Sequence, residues 1–278
     1  MGELVPGTDG LAAEEVGPWV EEKLAIARTY AEITHSTRKK FLPPNLGGAA
    51  YIDLFCGPGL AKIRNTNQFV DGTAVAIWKV SVKKGSPFTK VFIADKDDDR
   101  RRLCGERLRR IGAPVVEIKG DALSASAAVV AQAPPHGFHI ALLDPYSLGA
   151  LDFRILSALS GLKRIDILTH LSAMDMTRNI DSEAAEERNE FDAFAPGWRE
   201  GIPTDLPLVE LRNKLLQFWE RKVETELRFR PTAGSYAVVN SVNTTLYWLR
   251  LLTRHALAEK FWKAVLRAMP KATLDMFP

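Results

Sequence analysis

Cysteine is almost absent: Cys56 and Cys104 are the only two in 278 residues. By themselves two cysteines build neither a disulfide framework nor a four-ligand zinc site. No His, Cys or Asp spacing supplies a metal-ligand set either. Long hydrophobic runs are missing, and no stretch reaches the ~18 uncharged residues that a membrane span needs. The opening MGELVPGTDGLAAEEVG carries Glu3, Asp9, Glu14 and Glu15 and no basic segment followed by an apolar one, so it does not read as a secretory signal. A cytoplasmic protein with no membrane partner is expected. Charge of one sign is lacking too: 37 Lys and Arg against 34 Asp and Glu leave +3. That balance permits contact with nucleic acid without marking a polybasic binding protein. No repeat with a period of about 20–50 residues is visible, which excludes a solenoid.

What is present is an alternation of short apolar runs with helical stretches. The first fifteen or so residues read as a mobile tail. Residues 19–41 have helical spacing, with Trp19, Leu24, Ala27 and Tyr30 on one stripe, and the Pro43-Pro44-Asn45-Leu46-Gly47-Gly48 segment ends the helix. Strands are expected at 50–55, 90–94, 115–119, 139–143 and 164–171, and helices at 73–82, 98–111, 124–132 and 153–162. Such alternation predicts an α/β fold: a doubly wound, Rossmann-like, mostly parallel sheet. A charged amphipathic helix is expected at 207–228, with Leu211, Leu215, Phe218 and Trp219 packing inward. An antiparallel hairpin at 236–242 and 245–253 closes the sheet, and a last helix follows at 256–268. Residues 175–205 are irregular in pattern and read as an insertion or lid.

Ligands of open parallel sheets sit beyond the carboxyl ends of the strands, and those ends carry acids. The first strand runs into Asp53-Leu54-Phe55-Cys56-Gly57-Pro58-Gly59. Gly57 and Gly59 allow a tight turn and a close approach to backbone. Lys62 stands where a dinucleotide fingerprint has its third glycine, and no Gly-Lys-Ser/Thr follows as in a P-loop. A carboxylate beside a glycine turn suits a cationic ligand, and S-adenosylmethionine (SAM) has both a sulfonium and an α-ammonium. Asp95 is placed to accept two ribose hydroxyls. Asp121 can accept the adenine amine, or can cap the helix after it. The fourth strand ends in Asp144-Pro145-Tyr146.

The segments Tyr51-Ile-Asp-Leu-Phe-Cys-Gly-Pro-Gly59, Leu142-Leu-Asp-Pro-Tyr146 and His170-Leu-Ser-Ala-Met-Asp-Met-Thr-Arg-Asn179 resemble class I SAM-dependent methyltransferases. More closely, they resemble the three-Cys-motif partner protein (TcmP) family. The likeness spans about residues 19–268, with a weaker echo in Leu246-Tyr247-Trp248 and Phe261-Trp262. It implies a SAM-binding α/β core over 49–172, preceded by a tail and helical segment over 1–48. A lid and long helix would occupy 173–232, and a hairpin and helix completing the core 233–278. Asp53, Phe55, Gly57 and Gly59 would hold the methionine end of SAM, Asp95 its ribose and Asp121 its adenine. The family is named for occurring beside a separate three-cysteine protein, which makes such a protein an expected partner and a non-catalytic scaffold the alternative role.

Asp144-Pro145-Tyr146 resembles the Asp-Pro-Pro-Tyr signature of methyltransferases that act on adenine or cytosine amines, with one proline missing. In that signature the acid and a proline carbonyl orient the amine while the aromatic ring stacks on the base. The expected activity is therefore methyl transfer to a nucleobase amine in DNA or RNA. Tyr146 can equally pack over its strand end. Cytosine C5 methylation is set aside, because the chain has no Pro-Cys nucleophile. Cys56 reads as a small residue under the glycine turn and Cys104 as a buried filler in a helix. Asp175, Arg178 and Asn179 are candidate substrate residues, or a turn cap and an ion pair. His170 reads as a core histidine. The Asp97-Asp98-Asp99-Arg100-Arg101-Arg102 run, with Arg107, Arg109 and Arg110, reads as a solvated helix face.

Overall fold

The strand–helix alternation folds into an α/β architecture with a mostly parallel sheet and an antiparallel strand pair. A computed structural model describes residues 2–232, 234–240, 243–269 and 272–273. The chain divides into two units, Met1–Leu143 with Gly161–Leu168, and Asp144–Ser160 with Thr169–Pro278.

The first unit runs β1 (Leu4–Pro6), β2 (Ala12–Val16), α1 (Val20–Ile33), α2 (His35–Lys39), β3 (Ala49–Asp53), β4 (Leu60–Ile63) and β5 (Phe69–Asp71). It continues with α3 (Thr73–Lys83), β6 (Lys90–Ala94), α4 (Asp98–Arg110), β7 (Val115–Ile118), α5 (Ala122–Gln132) and β8 (Phe138–Leu143). After α6 (Phe153–Leu159), which belongs to the second unit, β9 (Ile165–Ser172) begins in the first unit and ends in the second. The strand order in the first unit is β9-β8-β3-β6-β7, and β8, β3, β6 and β7 pair in parallel. Central strands covered on both faces read as near-continuous apolar runs. Every residue of β3 and β8 is buried accordingly.

A small sheet of order β1-β2-β4-β5 stands beside it. The N-terminal residues expected as a mobile tail are therefore folded. β1 and β2 form an antiparallel pair, and β2 runs parallel to β4 with Glu14 opposite Ala61. The tail reading failed because this pairing joins segments far apart in sequence. The expected helix over 19–41 breaks at Thr34, whose hydroxyl turns back to the Tyr30 and Ala31 carbonyls. Such back-bonding competes with the helical ladder.

The second unit continues with α7 (Ala173–Ala184), α8 (Glu190–Phe194), α9 (Trp198–Gly201) and α10 (Leu208–Leu227). Then come β10 (Arg230–Pro231), β11 (Ser235–Val239), β12 (Thr245–Thr253), α11 (Ala256–Ala268) and β13 (Ala272–Thr273). Its strand order is β13-β11-β12-β9, with β10 on β12. The hairpin expected at 236–242 and 245–253 is present as β11 and β12, paired antiparallel; positions 241 and 242 lie outside the described residues. The irregular 175–205 stretch is largely helical, because Ser172 caps α7 by accepting from the Asp175 N–H at 3.2 Å. α10 buries Leu211, Leu215 and Trp219, and Phe194 stacks on Trp219 at 5.2 Å between ring centroids.

The Asp- and Arg-rich α4 is only partly a solvated face. Arg100, Arg101 and Arg107 are buried. Arginine tolerates such places when its fork is filled by acceptors, and here they come from distant segments: Glu14 for Arg100, Glu117 for Arg101 and Asp9 for Arg107.

Candidate functional site

In the first unit, β3 and β6 lie side by side with Asp53 opposite Ile93, so their terminal acids emerge at the same sheet edge. Asp53 is 1% exposed. Its Oδ1 accepts from the Phe55 N–H at 3.2 Å, and its Oδ2 accepts from the Tyr51 hydroxyl at 3.3 Å. Asp95 is also buried, and both its oxygens meet backbone: Gly57 N–H donates to Oδ2 and Asp97 N–H to Oδ1, each at 3.0 Å. A carboxylate oxygen has two lone pairs, so both oxygens retain capacity for a ligand hydroxyl.

The turn between these acids needs glycine. Gly57 and Gly59 have φ of 56° and 83°, in the left-handed region that other residues avoid. A Cβ on Gly59 would lie 3.1 Å from the Cys104 Cα, so α4 is seated directly on the turn. The Cys56 N–H donates to the Ala94 carbonyl at 3.0 Å and ties the turn to the end of β6. Asp53, Gly57, Gly59 and Asp95 are thus brought together as the sequence predicts, with Phe55 half-buried among them.

Two residues near the turn escaped the sequence reading. Arg107 of α4 is 5% exposed and spends its fork on the Asp9 carboxylate, at 2.7 and 2.8 Å, and on three carbonyls: Leu11 at 3.0 Å, Ala12 at 2.9 Å and Pro58 at 2.6 Å. It therefore clamps the N-terminal strands to the glycine turn. Asp9 is held below the usual carboxylate range, chiefly by its bonds to Arg107. Glu14 of β2 places Oε2 3.5 Å from where a Gly57 Cβ would stand, adding a third acid beside the turn. The turn also leads into β4 and β5 before α3 begins, an insertion whose signal was the Asn65-Thr66-Asn67 reversal, with Asn65 at φ 61°.

Cys56 and Cys104 are free and buried. Burial pushes the Cys56 thiol well up, with the neighbouring Cys104 thiol and the Asp53 and Asp95 carboxylates acting in the same direction. A thiol held protonated is a poor nucleophile, which fits a packing role. Asp121 is exposed, and its Oδ1 caps α5 by accepting from the Ser124 N–H at 2.8 Å and the Ser124 hydroxyl at 2.7 Å.

The second unit holds the remaining candidates. Asp144 is half-buried, Pro145 buried and Tyr146 57% exposed. His170 Nδ1 of β9 lies 2.9 Å from Asp144 Oδ1, and its ring meets Tyr247 edge-on at 4.1 Å. Asp175 of α7 accepts from the Leu148 N–H at 2.7 Å through Oδ2 and from the Asn179 amide at 2.8 Å through Oδ1. Asp175 and Asn179 therefore brace the loop after Asp144, while Arg178 is exposed on the same helix. Among the described residues no group of three His, Cys, Asp or Glu side chains is placed to hold a metal. No helix among them is long and apolar enough to cross a membrane.

No family model and no curated protein matches the chain. Solved structures do. A protein of Legionella pneumophila Philadelphia 1 is 8% identical, covering 88% of this chain and 92% of its own, with a TM-score of 0.48. An O-methyltransferase of Bacillus cereus, solved with S-adenosylhomocysteine (SAH), is 11% identical over 86% and 82% of the two chains, at a TM-score of 0.45. A protein described as a putative RNA methyltransferase of Pyrococcus horikoshii is 10% identical over 82% and 83%, at 0.38. Likeness at this level assigns neither ligand nor reaction, and the chemistry has to be read from the residues.

Proposed function

We propose that the protein is a SAM-dependent methyltransferase whose acceptor is an amine on a nucleobase in DNA or RNA. The observation that carries this reading is the pair of buried carboxylates, Asp53 and Asp95, at the ends of adjacent strands around a left-handed glycine turn. Both acids already accept from backbone N–H groups or a hydroxyl, and their remaining lone pairs suit a ligand with a sulfonium, an α-ammonium and ribose hydroxyls. When bound, SAM would supply an electrophilic methyl group and leave as SAH. Asp53, Phe55, Gly57 and Gly59 would bind its methionine end, Asp95 would accept from the ribose hydroxyls, and Asp121 would accept from the adenine amine. Asp144 and the Pro145 carbonyl accept the acceptor's N–H groups and aim its lone pair, while Tyr146 offers a ring for stacking. Arg178 is the substrate residue best placed on α7 to meet a phosphate.

The sequence likeness to the TcmP family extends this reading to a separate three-cysteine protein as partner. The single proline of Asp144-Pro145-Tyr146 favours one competing role, a methyltransferase-like scaffold for that partner. Titration calorimetry with SAM and SAH tests the reading, followed by transfer of labelled methyl groups to DNA and RNA oligonucleotides. Micromolar binding that Asp95→Ala weakens at least tenfold is expected. Absence of binding heat, or an Asp95→Ala variant that binds like wild type, refutes it. SAM binding with transfer only in the partner's presence would favour the partner-dependent form.

A further inference from the structure

The contact between Asp144 and His170 has a geometry that packing alone leaves unexplained. His170 Nδ1 is 2.9 Å from Asp144 Oδ1, yet neither ring nitrogen makes an aligned hydrogen bond among the described residues. Its side chain is only 14% exposed. Buried polar atoms left without a bond are rare and call for a reason. The edge-on Tyr247 ring, inclined at 65°, sits against one side of the imidazole, so a rotation toward Asp144 is the short route to a partner. Hydrogen bonds at reacting centres are often misaligned before substrate arrives and tighten when it does.

The rest of the loop is held as well. Asp175 bonds the Leu148 N–H at 2.7 Å. A Cβ on Gly149 would fall 2.7 Å from the Glu190 carbonyl, so the backbone of α8 is seated on the loop. The segment 144–149 is thus fixed at its start by β9 and at its end by α7 and α8, with the exposed Tyr146 ring between.

We infer that His170 and Asp175 are positioning residues for this loop: the Nδ1–H of His170 aligns on Asp144 when an acceptor amine binds, and Asp175 fixes the far end. This rests on the reading of Asp144-Pro145-Tyr146 as the amine-orienting segment. The ring acts through Asp144, whose Oδ1 lies 2.9 Å from Nδ1.

Two measurements on the full chain test the inference. The first is the 15N tautomer signature of His170 by NMR, in wild type and in Asp144→Ala. A proton on Nδ1 in wild type, with that preference lost in Asp144→Ala, is expected; a proton on Nε2 in wild type overturns the inference. The second compares His170→Leu with His170→Asn, whose amide nitrogen stands near the place of Nδ1, in methyl transfer to a mixed-sequence single-stranded oligonucleotide. His170→Leu should lower kcat at least thirtyfold with KM for SAM within threefold, and His170→Asn should recover at least a third of the wild-type rate. If His170→Asn is as slow as His170→Leu, the ring matters by packing and the inference falls. Asp175→Ala should likewise lower kcat at least tenfold with KM for SAM unchanged. If wild type transfers no methyl group, the acceptor reading fails, and the tautomer measurement still decides the His170–Asp144 contact.

Discussion

Replacing Arg107 by methionine keeps the length and apolar stem of the side chain and deletes its fork. Five hydrogen bonds are lost at once: two to Asp9 and one each to the Leu11, Ala12 and Pro58 carbonyls. Removing one partner of a buried ion pair costs ~3–5 kcal/mol. The Asp9 side chain is 35% exposed, so water recovers part of its solvation and the lower end, about 3 kcal/mol, is expected. For a chain of this length that lowers Tm by roughly 6–12 °C. Hydrogen exchange should localise the effect to the amides of β1 and β2. Because Pro58 lies between Gly57 and Gly59, affinity for SAH should fall as well, by about tenfold, or ~1.4 kcal/mol. Arg107→Lys keeps the charge without the planar fork and should fall between the two. The pH dependence has a definite sign. The Asp9 carboxyl is depressed in the folded state, so its contribution is present above the ordinary carboxylate value of about 3.9 and is lost as pH falls through the lower folded value. The gap between wild type and Arg107→Met should narrow in that acid range. A variant melting within a degree or two of wild type, with β1 and β2 still protected from exchange, would refute the clamp.

Other residues give sharper local outcomes. Gly72→Ala would set a Cβ 2.6 Å from the Gly59 Cα, backbone against backbone, and should destabilise by about 1–3 kcal/mol in urea unfolding while weakening SAH binding. Tyr146→Ala removes an exposed ring; Tm should hold within a degree or so while KM for an oligonucleotide acceptor rises about tenfold, since base stacking on an aromatic ring contributes ~1–3 kcal/mol. His139 is fully buried, and burial lowers its pKa to about 4. A histidine depressed in this way stabilises the fold above its unfolded value of about 6.5, and the contribution drains away as pH falls toward 4, by roughly 3 kcal/mol in all. Urea unfolding of wild type between pH 7 and pH 4.5 should show this loss, and His139→Gln should flatten it.

The parallel core was open to reading in the sequence because its strands are buried on both faces and so appear as uninterrupted apolar runs. Lys90–Ala94 has the bounds its pattern predicts, as does Thr245–Thr253 of the antiparallel pair. Asp53, Gly57, Gly59 and Asp95 could be grouped for the same reason: a parallel sheet sends the end of every strand to one edge. Asp121 was legible as a helix cap, a short-range function. The 60–71 hairpin was less visible, since strands this short, split by Arg64-Asn65-Thr66-Asn67-Gln68, carry too few alternating positions to register. The arginines of α4 misled in a physically instructive way. Their spacing from Asp98 and Asp99 satisfies the local rule for exposed pairs, and Arg101 does contact Asp98, but its other partner, Glu117, belongs to a neighbouring strand.

From the sequence alone came the α/β class, the acids at the strand ends and the need for glycine between them. Each depends on periodicity or on neighbours close along the chain. The tertiary structure decided whatever needs partners far apart in sequence. Arg107 meets Asp9 across a separation of 98 residues. Glu14 reaches Gly57 only because β2 pairs with β4. Asp175 holds the Leu148 N–H. Side chains acquire such roles from long-range packing, in which the direction of a carboxylate or an imidazole is fixed by groups that no local pattern brings together.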